Sequence, residues 1–183
     1  MKRIILAAIA LVAIASAPKV FAQKNPMVGG AAMYSTKDIV DNAVNSKDHT
    51  TLVAAVKAAG LVETLKSAGP FTVFAPTNAA FNKLPAGTVE TLLKPENKAT
   101  LTKILTYHVL AGKYSALAIT KAIKKGKGKA KFTTVSGDKL TATMSKGKIK
   151  LTDENGGTAF VTIANVNQKN GVIHVINSVV TPK

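Results

Sequence analysis

The chain of 183 residues has no cysteine, no tryptophan and only three histidines, His49, His108 and His174. Each shortage removes a class of chemistry. Without thiols there is no disulfide staple, no thiolate nucleophile and no lipid anchor on an N-terminal cysteine, so the fold must stand on its hydrophobic core. The histidines are scattered, neither His108 nor His174 has an acid near it in sequence, and no G-x-S-x-G turn occurs. No nucleophile–base pair, metal-ligand set or cofactor motif can be assembled from that inventory. The expectation is a protein that is not an enzyme, with no catalytic residue, no metal site and no cofactor.

Negative charge and arginine are also scarce. Nine acids face 25 basic residues, a formal net charge of +16, and Arg3 is the single arginine. Lysine is a hydrated point charge, whereas arginine carries the planar fork that reads phosphate and guanine. Phe132 is the only aromatic residue beside the lysine-rich stretch, which leaves little for base stacking. Specific nucleic-acid recognition is therefore not expected. Loose attraction to anionic polymers or cell surfaces is.

What is present begins at the N-terminus. Lys2 and Arg3 precede the apolar run Ile4–Ala15, and Val20-Phe21-Ala22 supplies small residues at a cleavage site. This pattern predicts a secretory signal peptide over 1–22. The run falls short of the roughly 20 apolar residues of a membrane span, so no span is expected once the leader is cleaved. Residues 23–34, with Pro26, Gly29 and Gly30, read as a flexible lead-in, and 35–183 as one domain. The predicted location is secreted, extracellular or periplasmic.

Within that domain, helices come first and strands later, the pattern of an α+β fold. Ser35 or Thr36 can cap a helix carrying Ile39, Val40, Ala43 and Val44. A second helix is expected from Asp48 to Gly60, and a short third one around Leu61, Val62 and Leu65. Phe71–Ala75 reads as a buried strand, Thr77 or Asn78 as the next cap, and Pro95 as a first-turn residue. Leu101, Ile104, Leu105 and His108 fall on one helical face. Lys124–Lys131 (KKGKGKAK) reads as a mobile connection. Alternation then predicts strands with Leu140, Ala142 and Met144 inward, then Ile149 and Leu151, then Ala159, Val161 and Ile163, and a last strand over Val172–Ile176. Thr152–Gly157 (TDENGG) lacks the ligands of a calcium loop and reads as a hairpin turn.

Three blocks stand out: TVFAPTNAAF (Thr72–Phe81), LTYHVLAGKY (Leu105–Tyr114) and NGVIHVINSVVTP (Asn170–Pro182). In this order they resemble a fasciclin domain, from about Ser35 to Pro182. The resemblance implies a single domain with a helical layer packed on a wedge of two β-sheets, acting in cell adhesion through cell-surface or extracellular-matrix components. It also implies a binding role for Tyr107 and His108 with their flanking Leu105, Val109 and Leu110. The residues alone favour a packing role for His108, because it ends an apolar helical face. This chain departs from the family where Ala79 and Asn177 stand in place of acids, and Asn165-Val166 replaces an acid-isoleucine motif.

Lys121, Lys124, Lys125, Lys127, Lys129 and Lys131 form the candidate basic surface for anionic polymers. A carrier of a hydrophobic small molecule such as a carotenoid is the alternative, since some fasciclin domains bind carotenoids.

Overall fold

The computed structural model describes residues 25–183, so the expected leader lies outside the described residues. Where a flexible lead-in was expected, β1 (Met27–Val28) and β2 (Ala31–Ala32) form a hairpin, closed by the Met33 N–H donating to the Pro26 carbonyl. Burial is the cause. Val28 and Met33 are core residues, 4% and 2% exposed, in a segment too short to show periodicity.

Helix α1 (Ile39–Ala43) is capped by Asp38, whose carboxylate accepts from the Asp41 N–H at 2.8 Å; Ser35 and Thr36 lie upstream of that cap. A 3-10 turn over Lys47–His49 precedes α2 (Thr50–Ala59), which therefore starts later than Asp48. It stops at Gly60, whose φ of 73° is the left-handed conformation that glycine reaches without strain. Then follow α3 (Val62–Lys66), β3 (Phe71–Pro76) and α4 (Asn78–Phe81), with Thr77 accepting from the Ala80 N–H as its cap. After α5 (Thr88–Leu92), Pro95 opens a 3-10 turn that runs into α6 (Lys98–Tyr107).

Strand β4 (Val109–Ala111) leads to α7 (Ala116–Lys125), a helix the sequence reading did not contain. Ser115 caps it, and Ile119 and Ile123 anchor it, fully buried one turn apart. The lysine run read as a mobile connection is thus the end of a helix and the start of β5 (Lys129–Thr133). Strands β6 (Lys139–Ser145), β7 (Lys148–Thr152), β8 (Thr158–Gln168) and β9 (Gly171–Ile176) complete the chain.

Seven strands are hydrogen-bonded in the order β4-β3-β9-β8-β7-β6-β5. Only β3 and β9 run parallel, from Phe71 opposite Gly171 to Pro76 opposite Ile176. The wedge arises in β8. Its first residues pair with β7 and its later ones with β9, and the register slips twice between Val161 and Val166. Such bulges bend a strand and sharpen its twist, so one long strand serves both sheets. The bulges also turn Ile163 outward, 36% exposed against the expected inward position. Met144 likewise projects past the core beside Thr120, while Leu140 and Ala142 are fully buried as expected.

The strands β3 and β9 are buried on both faces. Val73, Ala75, Ile173 and Val175 meet the helical layer of α1, α2, α3 and α6. Phe74 and Ile176 meet a second core made by Tyr107, Ile119, Ile123, Leu140, Leu151 and Val161. Gly171 lies opposite Phe71 in the β3–β9 pairing, and a Cβ there would collide with the Phe71 carbonyl oxygen.

Candidate functional site

The second sequence block ends α6 and begins β4, and its side chains go inward. Leu105, Tyr107, His108, Val109 and Leu110 are between 0% and 6% exposed. Their side chains are packed in the core, so little of them is exposed to a partner. Tyr107 donates its hydroxyl to the Lys139 carbonyl at 2.7 Å, tying α6 to the start of β6. Burial, with the Asp153 carboxylate nearby, pushes its phenol up to about 12.

His108 spans two elements. Its Nδ1 lies 2.9 Å from the Ile104 carbonyl, and its Nε2 accepts from the Val180 N–H at 3.3 Å. That pairing requires a neutral ring with the proton on Nδ1. The helix C-terminus favours a cation, but burial wins and holds the imidazole at about 4. His174 makes the same arrangement on β9. Its Nε2 donates to the Tyr114 carbonyl at 2.8 Å, its Nδ1 accepts from the Asn165 N–H at 3.3 Å, and its ring stacks on Phe74 with centroids 5.7 Å apart. Burial lowers its pKa too. His49 is buried with Nδ1 2.9 Å from the Ser46 hydroxyl, and burial lowers it as well. Two of the three imidazoles are therefore struts whose ring nitrogens are both spent on main chain.

The block asparagines act in the same manner. Asn78 accepts from the Thr51 N–H and donates to the Lys47 carbonyl and the Thr50 hydroxyl, closing the N-terminus of α2. Asn170 accepts from the Ile39 N–H and donates to the carbonyls of Leu65 and Ser67, joining α1 and α3 to the β8–β9 turn. Asn177 accepts from the Phe160 N–H at 2.8 Å. An amide oxygen serves that bond without bringing a charge. The TDENGG segment is a hairpin turn in which Asp153 accepts from the N–H groups of Asn155, Gly157 and Thr181. Asn165, with φ of 60°, sits in the β8 bulge and accepts from Ala116 N–H at the start of α7, while Val166 is fully buried. Among the described residues, no three His, Asp or Glu side chains are grouped to hold a metal ion.

The helical layer holds two apolar cavities. One, of about 80 Å³, lies between α2 and the sheet and is lined by Val28, Leu52, Val56, Leu61, Val73 and Ile173 among others. The second, of about 140 Å³, lies between α5, α6 and the C-terminal segment, against Phe81, Leu92, Leu101 and Val179. Leu105 and His108 border both. No signal in the sequence marked these spaces, since a cavity is a property of how aliphatic side chains fail to meet.

The six candidate lysines are all exposed, but the fold divides them. Lys121, Lys124 and Lys125 lie on α7, which packs on the inner side of the sheet, and Lys127 lies in the turn after it. Lys129 and Lys131 point to the outer side of β5, with Ala130 and Phe132 turned inward. Among the described residues, no helix is long and apolar enough to cross a membrane.

The model of the fasciclin domain family matches residues 47–182. Protein sll1483 of Synechocystis sp. is 48% identical over 160 residues, spanning 87% of this chain and 82% of its own length. Immunogenic protein MPB70 of Mycobacterium bovis is 36% identical over 168 residues, spanning 88% of this chain and 78% of its own. The solved fasciclin-domain pair of the insect cell adhesion molecule Fasciclin I superposes with a TM-score of 0.67 at 17% identity. That match covers 78% of this chain and 50% of the other.

Proposed function

The chain belongs to the fasciclin family, and from that premise we propose that it is an exported, non-catalytic binding module that contacts cell-surface or matrix components. The observation that carries the reading is the use to which the fold puts its polar block residues. His108, His174, Asn78 and Asn170 all spend their polar atoms joining one element to another. What such a scaffold offers a partner is its surface, and that surface is basic. In this reading a leader over 1–22 and a lead-in over 23–34 precede the fasciclin domain of 35–183, which acts outside the cytoplasm. Binding of labelled Gln23–Lys183 to envelopes and extracellular polymer of the producing organism, titrated with salt, tests this. Saturable binding is expected at low salt; none at any ionic strength would end the proposal.

The cavities favour a second reading, carriage of a small apolar molecule. At about 80 and 140 Å³ they are no larger than an engineered cavity of about 150 Å³ that takes up benzene. A carotenoid would have to part the helices from the sheet. Extraction of natively purified protein checks this reading, a coloured or lipid-soluble ligand supporting it and a clean extract opposing it.

A further inference from the structure

We propose that the outer face of β5–β8 is a binding surface for an acidic polysaccharide, one bearing carboxylate or sulfate groups along its chain. The inference rests on the binding-module reading above and names its surface and partner class.

Register fixes which side chains share this face. One row across the sheet reads Lys129, Thr143, Lys150 and Phe160, and the next reads Lys131, Thr141, Thr152 and Thr158. Lys148 stands opposite Ser145 one row further out. Strand geometry places neighbours about 5 Å apart across the sheet and about 7 Å apart along a strand, so Lys131, Lys129, Lys150 and Lys148 form a stepped line with successive spacings of about 7–10 Å. Hydroxyls fill the positions between them. The inner face of the same strands carries Leu140, Ala142, Ile149, Leu151 and Ala159 in the second core.

Among the described residues, α7 is the helix packed against β5 and β6, and it packs on the inner side, which leaves the outer face open. No acid occurs in any of the four strands. The nearest carboxylates, Asp138, Asp153 and Glu154, sit in turns at one end. Asp153 accepts three main-chain N–H groups there, and Asp138 accepts from Ser136. Among the described residues, none of Lys129, Lys131, Lys148 and Lys150 is paired with a carboxylate.

The chemistry selects among anionic partners. Lysine gives charge without the bidentate fork that phosphodiesters reward, and no exposed aromatic row is present to stack bases. A lipid surface calls for several exposed apolar side chains that insert beside the charges, and in the rows of this face the half-buried Phe160 is the one apolar side chain among hydroxyls and lysines. Threonine hydroxyls interleaved with ammonium groups suit a chain of hydroxylated rings with spaced negative charges. The half-buried ring of Phe160, at one end of the lysine row, gives a sugar ring an apolar surface to lie on.

Dextran sulfate and alginate, with neutral dextran as control, are the probes, applied to the exported protein at physiological salt. The variant K129Q/K131Q/K148Q/K150Q is compared with K121Q/K124Q/K125Q/K127Q, which removes the same charge from α7 and its following turn. The face variant is expected to weaken polysaccharide binding by about tenfold or more, and the α7 variant by under about threefold. F160A should weaken binding further without changing its salt dependence. Equal losses in the two lysine variants would overturn the proposal, because net charge alone would then explain binding. Equally tight, face-dependent binding of anionic vesicles or single-stranded DNA would also overturn it. Envelope binding that the face variant leaves intact sinks the surface and spares the binding-module reading. Dextran sulfate binding that depends on the face, with no binding to envelopes, does the reverse.

Discussion

The two faces of β3 and β9 are packed differently, although the same two strands supply both. On the helical side several helices share the packing, and cavities of about 80 and 140 Å³ remain, one between α2 and the sheet and one among α5, α6 and the C-terminal segment. On the other side one helix, α7, lies in the bend of the sheet, and Phe74, Tyr107, Ile119, Leu140, Leu151 and Ile176 are all fully buried. The helical side is shared among the five-residue α1, α3 and α5 and the ten-residue α2 and α6, whereas the single helix α7 covers the other. The helical side has room to yield; the other does not.

The largest effect that separates the faces comes from truncation. Leu151→Ala or Ile119→Ala, in the close-packed core, should each cost about 3–5 kcal/mol by denaturant unfolding, at the upper end for such changes. Leu52→Ala, on the wall of an existing cavity, has fewer contacts to lose and should cost about 2–3 kcal/mol. Equal costs would break the comparison.

Acid acts across both faces. The pKa of His108 is about 4 in the folded protein against 6.5 for a free imidazole. Between those pH values the unfolded chain binds a proton that the folded chain refuses, so stability falls as pH drops through the window and levels off below it. For His108 alone the loss reaches about 3 kcal/mol at pH 4. His174 and His49 act in the same direction, since burial lowers both. Thermal unfolding from pH 7 to pH 4 should show this slope, and His108→Gln should flatten it while lowering stability at pH 7. A slope unchanged in that variant would assign the acid sensitivity elsewhere.

Adding a methyl group sharpens the contrast, because the two faces should respond with opposite sign. Val56→Ile points into the smaller cavity and should stabilise by about 0.5–1 kcal/mol, as cavity filling does. Val161→Ile, in the second core, should destabilise by about 1–3 kcal/mol through overpacking. The same sign for both would mean the cavity collapses in solution.

How much of this was legible in the sequence also divides along the two faces. The three blocks, the α2 stop at Gly60, the strand Phe71–Ala75 and the buried last strand were read directly, because glycine, proline and β-branched runs signal locally. The α+β class followed from the order of these elements, and the family from the resemblance that the three blocks carry. Helix α7 was missed because only Ile119 and Ile123 are deeply buried in ten residues, and lysines at its end imitate a solvated linker. Ser115, followed by apolar residues at helical spacing, was the signal that could have found it. The β8 bulges were invisible because strand alternation holds only while register does, and Ile163 then turned outward. The site suffered most from the same blindness. The contact role of Tyr107 and His108 came from the family resemblance, whereas the apolar face ending in His108 already pointed to packing and both side chains are buried; the lysines seen as one run belong to two different surfaces.

That last separation gives the smallest expected effect on stability and the most useful one. Lys129, Lys131, Lys148 and Lys150 lie outside the second core, on strands whose inner residues fix their positions. Replacing all four with glutamine removes no buried contact and lessens like-charge crowding in a strongly basic protein. The melting temperature should stay within a few degrees of the parent or rise, since surface changes of this kind each move stability by no more than about 0.5 kcal/mol. A rise that grows as salt is lowered would show that the lysines repel one another at a cost to the fold. Folding alone would then not account for a face kept uniformly basic, whereas a partner that neutralises it would. A marked fall in stability would instead make the lysines part of the sheet's own packing, and the contrast between a solvated outer face and a dry inner one would fail at the strands where it is drawn most sharply.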